Sequence, residues 1–288
     1  MTLHTLWKFS RPHTVIGSIV SILVIFLLQG GSLSHHYMIL IGTLISALGC
    51  NVCITGLNQV VDVELDKINK PELPIAAGTL DIRTAKKIVV LAGIIAVSVA
   101  AILHWILLLL IVVILILGIA YSVPPIQLKQ HHVPAALAIT IVRGVLVNIG
   151  MALHFAGMLQ ENFVIEPVIY PLTIFISAFS LAIAWYKDLP DRAGDAHFGF
   201  RTFPLLYSPK VALYTGAFFV LAAYGWCIFW SYQAAQTLLM YSLVVLSIAF
   251  ILHLQTVRLQ EQKSIRKFYQ IFWVFFFATY LSFLWVLY

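Results

Sequence analysis

The sequence predicts an all-α integral membrane protein, one bundle of nine transmembrane helices. Three observations lead there. Of its 288 residues, 61% are hydrophobic and only 10% are charged, against about 25% charged in soluble domains. The apolar runs reach the roughly 17 to 25 residues that a helix needs to cross a bilayer, and they lack the alternation of barrel strands, the other structure that satisfies its backbone in lipid. Finally, Lys and Arg fall on one side. Spans at 13–29, 37–57, 87–103, 105–121, 135–158, 169–186, 211–230, 237–254 and 270–287 put every Lys and Arg except Arg143 at the N-terminus or in the even-numbered loops. The loops at 30–36 and 160–167 carry none. The positive-inside rule then makes the N-terminus cytoplasmic, in a bacterial inner membrane or its equivalent. The net charge of +6 is accounted for by topology and not by nucleic acid.

Residues 1–12 are short and amphipathic, with Trp7 and Phe9 suited to the interface and Pro12 opening the first span. Lys8 and Arg11 before an apolar run resemble a signal peptide, but no small-residue cleavage site closes it, so a retained first helix is expected. Arg11 at this junction reads equally as an orientation anchor or as an anion ligand. The second span ends in an acidic segment, and a loop with Pro71, Pro74 and Gly78 follows; long loops between membrane helices are more often functional than idle. His104 alone separates the third and fourth spans, a tight hairpin, and is expected at the outer interface. Pro124-Pro125 ends the fourth span and fixes Tyr121 and Lys129 on the cytoplasmic side. The fifth carries Arg143, costly in a membrane and therefore expected to face the interior with a partner. Asn148 lies five residues on, about 140° further round an α-helix, so it need not share that face. A second acidic segment follows the sixth span, and the last three are aromatic-rich. Cys50, Cys53 and Cys227 are odd in number, and the one C-x-x-C has no second pair to complete a zinc site.

Two acidic clusters stand out in a chain with only 11 acidic residues. After the second span, Asn58, Asp62 and Asp66 recur every fourth position, which on a helix makes one polar stripe. After the sixth, Asp188, Asp191 and Asp195 do much the same, flanked by Lys187 and Arg192 and followed by Arg201. Mg²⁺ takes carboxylate oxygens and usually shares them with substrate phosphates, and five unmetallated like charges would repel strongly. Facing aspartates with Lys and Arg nearby suit a diphosphate, and a membrane bundle supplies an apolar cavity for its tail. An isoprenyl diphosphate combines both. The cation it yields on ionisation is held by aromatic faces and captured by an electron-rich acceptor.

In these segments the chain resembles the UbiA superfamily of intramembrane prenyltransferases, nine-helix bundles with one Asp-rich motif after helix 2 and another after helix 6, and the resemblance implies a central cavity opening toward the cytoplasmic side. The resemblance covers the whole chain, as one domain over 1–288. Phe9-Ser10-Arg11-Pro12-His13-Thr14, Gly56-Leu57-Asn58-Gln59, Ile68-Asn69-Lys70-Pro71-Glu72-Leu73-Pro74, Tyr121-Ser122-Val123-Pro124-Pro125, Val142-Arg143-Gly144 and Gly199-Phe200-Arg201-Thr202 resemble its homogentisate prenyltransferase branch. What the resemblance implies is Mg²⁺-dependent transfer of a phytyl, geranylgeranyl or longer group to homogentisate. Attack falls at the ring carbon bearing the acetate or the one next to it, with loss of CO₂, in tocopherol- or plastoquinone-type biosynthesis. It also implies two Mg²⁺ ions on Asn58, Asp62, Asp66, Asp188, Asp191 and Asp195, with Asp62, Asp66, Asp191 and Asp195 catalytic. Substrate contacts fall to Arg11, Lys70, Tyr121, Lys129, Arg143, Lys187, Arg192 and Arg201. Arg11, Arg143 and Lys187 are equal candidates for the acceptor carboxylate.

Expected partners are an isoprenyl diphosphate, a small aromatic acceptor and the lipid bilayer, with no nucleic acid and no obligate protein. A chlorophyllide, haem, naphthoate or hydroxybenzoate acceptor, or a cyclase that folds the prenyl chain on itself, keeps the same ionisation step. A transporter centred on Arg143 is disfavoured, because the acidic groups lie at helix ends and secondary transporters bind at midplane.

Overall fold

The computed structural model describes residues 2–160 and 163–288. Part of the outer loop expected at 160–167, Glu161 and Asn162, lies outside the described residues. The described chain is helical, and eight helices are long and apolar enough to cross a membrane. A ninth, α1 (Pro12–Leu28), joins them if it is taken with the short helix Leu3–Phe9 across a 73° bend. The others are α2 (Tyr37–Val61), α3 (Ile82–Leu103), α4 (Trp105–Ser122), α5 (His132–Leu159), α6 (Ile169–Tyr186), α7 (Pro209–Gln233), α8 (Thr237–Leu254) and α9 (Gln262–Leu287). Side chains such as Val90, Leu109, Phe218 and Val245 stand exposed around the outside, the surface a multi-pass protein turns to lipid.

Local chemistry sets the helix ends. Pro12 occupies the first turn of α1, where its missing N–H costs nothing, and Arg11 before it has φ 55°, which turns the chain sharply out of Leu3–Phe9. Gln59 ties that short helix down by donating from Nε2 to the Phe9 carbonyl at 2.7 Å. The Asp81 carboxylate caps α3 by accepting the Thr84 N–H at 2.9 Å, and Ser208 caps α7 through the Val211 N–H at 3.1 Å. α9 begins eight residues before the span expected from hydropathy. Its first turns, with Lys263, Arg266 and Lys267, extend beyond the apolar run, so the helix starts before the apolar run does.

α6 forms the centre, packed between α5 and α7, with Phe175, Phe179 and Tyr186 fully buried. Phe179 stacks on Phe272 of α9 at 4.7 Å, and Phe175 meets Tyr224 of α7 edge-on at 4.7 Å, geometries that suit aromatic quadrupoles. α5 leans against α6 closely enough that a Cβ on Gly144 would lie 2.4 Å from the Ser177 hydroxyl.

The middle of α5, Ile141–Gly150, is a π-helix. Its i→i+5 bonding widens the turn, so residues five apart come together, and the α-helical expectation for Arg143 and Asn148 is corrected. Asn148 is fully buried; its Nδ2 donates to the backbone carbonyls of Arg143 at 3.0 Å and Gly144 at 2.7 Å, and its Oδ1 accepts the Tyr280 hydroxyl at 2.8 Å. Asn148→Ala is expected to cost about 1–3 kcal/mol by leaving buried polar groups unpaired. Thermal unfolding in detergent reads this, and Tyr280→Phe added to Asn148→Ala should cost less than Tyr280→Phe alone.

Candidate active site

The first acidic segment bends where its chemistry lies. α2 ends at Val61, Asp62 sits between helices at φ −100°, ψ 22°, and a short helix Val63–Asn69 carries on. The fourfold spacing survives the bend, because the Asp62 N–H bonds the Asn58 carbonyl at 2.9 Å and the Asp66 N–H bonds that of Asp62 at 2.7 Å. Asn58 Nδ2 donates to Asp62 Oδ2 at 2.9 Å, and Asn58 Oδ1 accepts Arg11 Nη2 at 3.2 Å. The second segment leaves α6 through a turn holding Asp188 and Asp191 and enters a short helix, Arg192–His197, that carries Asp195.

Asn69 joins the two segments. Its Oδ1 accepts the Gly194 N–H at 2.9 Å, its Nδ2 donates to Asp195 Oδ1 at 3.2 Å, and its own carbonyl accepts Arg266 Nη2 from α9 at 2.9 Å. All five aspartates are buried and line one polar chamber of about 670 Å³. Three have lysine partners: Lys129 on Asp62, Lys70 on Asp191, and Lys187 on Asp188, the last at 2.5 Å. Lys129, at a position where an exposed membrane flank is the usual role, is buried.

The other two lack a lysine, and burial raises both, Asp66 to about 6 and Asp195 to about 7. Arg11 and Lys70 hold Asp66 back; Asp188 and Asp191 push Asp195 further up.

A second, mostly apolar chamber of about 260 Å³ lies below, between α1, α2, α4, α5 and α9. The two chambers share a neck: Arg11, His13, Asn58, Tyr121, Lys187, Tyr269 and Trp273 line both. Arg143 reaches the apolar chamber as expected, but its partner is a ring, with the guanidinium 4.9 Å from the Trp273 centroid. Among the described residues no carboxylate pairs with it.

Two expected substrate contacts line neither chamber. Arg192 turns its Nε to the Leu189 carbonyl at 3.1 Å, capping its own turn. The Arg201 side chain is exposed, while its backbone bonds Gln130 and His132 at 2.7 and 3.0 Å and so pins the loop that carries Lys129. At the other end of the bundle half-buried His104, at the tip of the α3–α4 hairpin, packs 5.5 Å from the ring of buried His154, which contacts Thr43 Oγ1 at 2.9 Å. Asn69, His13, Tyr269, Trp273 and Arg266 were not anticipated. Asn69 and His13 do stand inside segments that carried the resemblance, whereas Tyr269 and Trp273 look like any aromatic pair four apart.

The sequence matches the UbiA prenyltransferase family over residues 18–280. This chain belongs to that family. Among relatives, it is 37% identical to a homogentisate phytyltransferase of Synechocystis over 97% of this chain and 94% of that one. Among solved structures, a UbiA homologue from Aeropyrum pernix superposes with a TM-score of 0.70 at 19% identity, covering 94% of this chain and 95% of that one. A UbiA homologue from Archaeoglobus fulgidus, bound to GPP and Mg²⁺, superposes at 0.64 and 15% identity, covering 97% and 99%. The fold is the UbiA fold.

The UbiA-family chamber fits a divalent cation by its donors. They are carboxylate and carboxamide oxygens, the ligands that hard cations take, and Asp66 Oδ2 is buried without a hydrogen-bond partner. Among the described residues no three His, Cys, Asp or Glu side chains converge as a complete cage.

The Asn69 bracket gives a direct test. A Cβ at residue 194 would lie 2.5 Å from Asn69 Oδ1, so Gly194→Ala should force the two acidic segments apart. Turnover is expected to fall about 100-fold, the scale of a misplaced catalytic geometry, while circular dichroism in detergent stays that of the parent.

Proposed function

We propose that this chain transfers a prenyl group from its diphosphate to homogentisate, with decarboxylation, in prenylquinone biosynthesis. The whole of 1–288 would act as one domain. The observation that carries the reading is the shared neck: a chamber of buried aspartates and lysines opens directly into an apolar chamber walled by aromatic rings. Relatives named for homogentisate prenylation support the acceptor.

In this reading Asn58, Asp62, Asp66, Asp188, Asp191 and Asp195 hold two Mg²⁺ ions, which supply Lewis-acid stabilisation of the leaving diphosphate. Lys70, Lys129 and Lys187 each exchange an aspartate oxygen for a diphosphate oxygen, a move of one flexible ammonium between neighbouring acceptors. Tyr121, Tyr269 and Trp273 then face the allylic carbon at the neck, where their ring faces stabilise the cation. Of the three candidates for the acceptor carboxylate, Arg11 is engaged by Asn58 and Lys187 by Asp188, whereas Arg143 has only the indole. Arg143 therefore takes the carboxylate, for which its planar fork is suited.

A membrane assay pairing labelled prenyl diphosphates with a panel of aromatic acceptors tests the reaction. Asp62→Ala and Asp191→Ala should each abolish transfer, as should chelation; transfer to a non-carboxylated acceptor alone would refute homogentisate.

Asp66 and Asp195 add a pH signature. In the folded, metal-free protein they keep protons up to about 6 and about 7, which an unfolded chain releases near pH 4. Stability at these two sites therefore falls as pH rises from about 4 to about 7. A cation binds the deprotonated forms, so the thermal stabilisation given by Mg²⁺ with diphosphate should grow across the same window and level off above it. Thermal midpoints with Mg²⁺ and with chelator measure it without any turnover.

The distribution of Lys and Arg supports an acidic end that faces the cytoplasm. Thr84→Cys should then be labelled by an impermeant thiol reagent only from the cytoplasmic face, and Ser32→Cys only from the opposite one.

A further inference from the structure

Among the described residues, Lys8, Arg11, Lys70, Lys129, Lys187 and Arg266 are the Lys and Arg side chains that line the acidic chamber. Four of them are engaged by other side chains. Lys129 holds Asp62, Lys70 holds Asp191, Lys187 holds Asp188, and Arg11 donates to Asn58. Lys8 is exposed on the short helix Leu3–Phe9 and offers a point charge without a fork. Arg266 differs from all of these. Its Nη2 donates to a backbone carbonyl, that of Asn69, at 2.9 Å, and among the described residues no carboxylate pairs with it. A guanidinium has five N–H donors, so this bond orients the group without neutralising it or exhausting it.

α9 lays a graded stripe along the substrate path. Arg266, Gln270, Trp273 and Phe277 recur every three or four residues, which puts them on one helix face, and all line the acidic chamber with Tyr269 beside them. Tyr269 and Trp273 also line the apolar chamber, whereas Arg266 does not. The guanidinium therefore stands on the polar side of the neck rings, about 10 Å along the helix from Trp273. A prenyl diphosphate has the same order: hydrocarbon, allylic carbon, the phosphate bonded to it, and a terminal phosphate beyond. We propose that Arg266 binds that terminal phosphate, and so makes the site select a prenyl diphosphate over a prenyl monophosphate. The inference rests on the prenyl-donor reading above. A planar fork can give two parallel N–H···O bonds to one phosphate. Arg266 has no aspartate to release, so this contact forms without leaving a buried carboxylate bare.

Two ligands in detergent with Mg²⁺ test this without turnover. One is geranylgeranyl monophosphate; the other is the unreactive thiolo analogue of geranylgeranyl diphosphate, in which sulfur replaces the oxygen on the allylic carbon. The wild-type protein should prefer the diphosphate analogue. Arg266→Gln keeps a donor for the Asn69 carbonyl but loses the charge and the fork. Its affinity for the analogue should fall about 10- to 100-fold, the scale of a hydrogen bond to a charged group, while its affinity for the monophosphate is unchanged. Arg266→Lys should keep only part of the preference, because an ammonium retains the charge and not the fork. A merely structural role, in which Arg266 does no more than steady Asn69, would weaken both ligands alike, and an equal loss overturns the inference. So does an undiminished preference in Arg266→Gln, or a wild-type protein that does not prefer the diphosphate. If Arg266→Gln does not fold, Arg266→Lys carries the same comparison under the same outcomes. A wild-type protein that binds neither prenyl phosphate overturns the prenyl-donor reading itself, so the two failures are told apart.

Discussion

Five buried carboxylates in one chamber of a membrane bundle are the constraint on which the rest of the structure depends. Each is expensive to desolvate, and together they repel. The protein meets this in two ways. Lysines from three different loops neutralise Asp62, Asp188 and Asp191, while Asp66 and Asp195 are left to hold protons up to about pH 6 and about pH 7. Removing one lysine would strand a buried charge, so the loops carrying Lys70 and Lys129 must be as well placed as the helices. Hence the backbone tie between Arg201 and the Lys129 loop, and the Asn69 bracket between the two acidic segments.

The apolar half answers a different requirement. Wide aromatic contacts join α6, α7 and α9 into the centre of the bundle, and a cavity remains between α1, α2, α4, α5 and α9. The π segment of α5 is where these requirements meet. It carries Arg143 toward the cavity while Asn148, one wide turn on, satisfies carbonyls that the irregular backbone frees.

What could be read in the sequence followed from periodicity and charge. Spacing by four brought Asn58, Asp62 and Asp66 together, and run length gave most helix ends to within a few residues. The missing parts depended on tertiary distance. Nothing local marks Lys70 as the partner of an aspartate 121 positions away, or separates Arg143, whose partner is a ring, from Arg192, which caps its own turn. The start of α9 was missed because hydropathy reports where lipid begins and not where a helix does. The facing of Asn148 was missed because the helical wheel assumes a period that Ile141–Gly150 does not keep.

The neck between the chambers has a consequence for water. An allylic cation formed in a chamber of lysines and aspartates would be quenched by solvent, and the prenyl alcohol would be the product. If the tail of the same substrate threads the neck, it stoppers the passage between Tyr121, Tyr269 and Trp273 from the apolar side. The cation is then born against ring faces, with the spent diphosphate between it and the bulk. Fidelity against hydrolysis would rest on the substrate's own length: a donor too short to fill the passage would ionise as readily and yet lose more of its product to water.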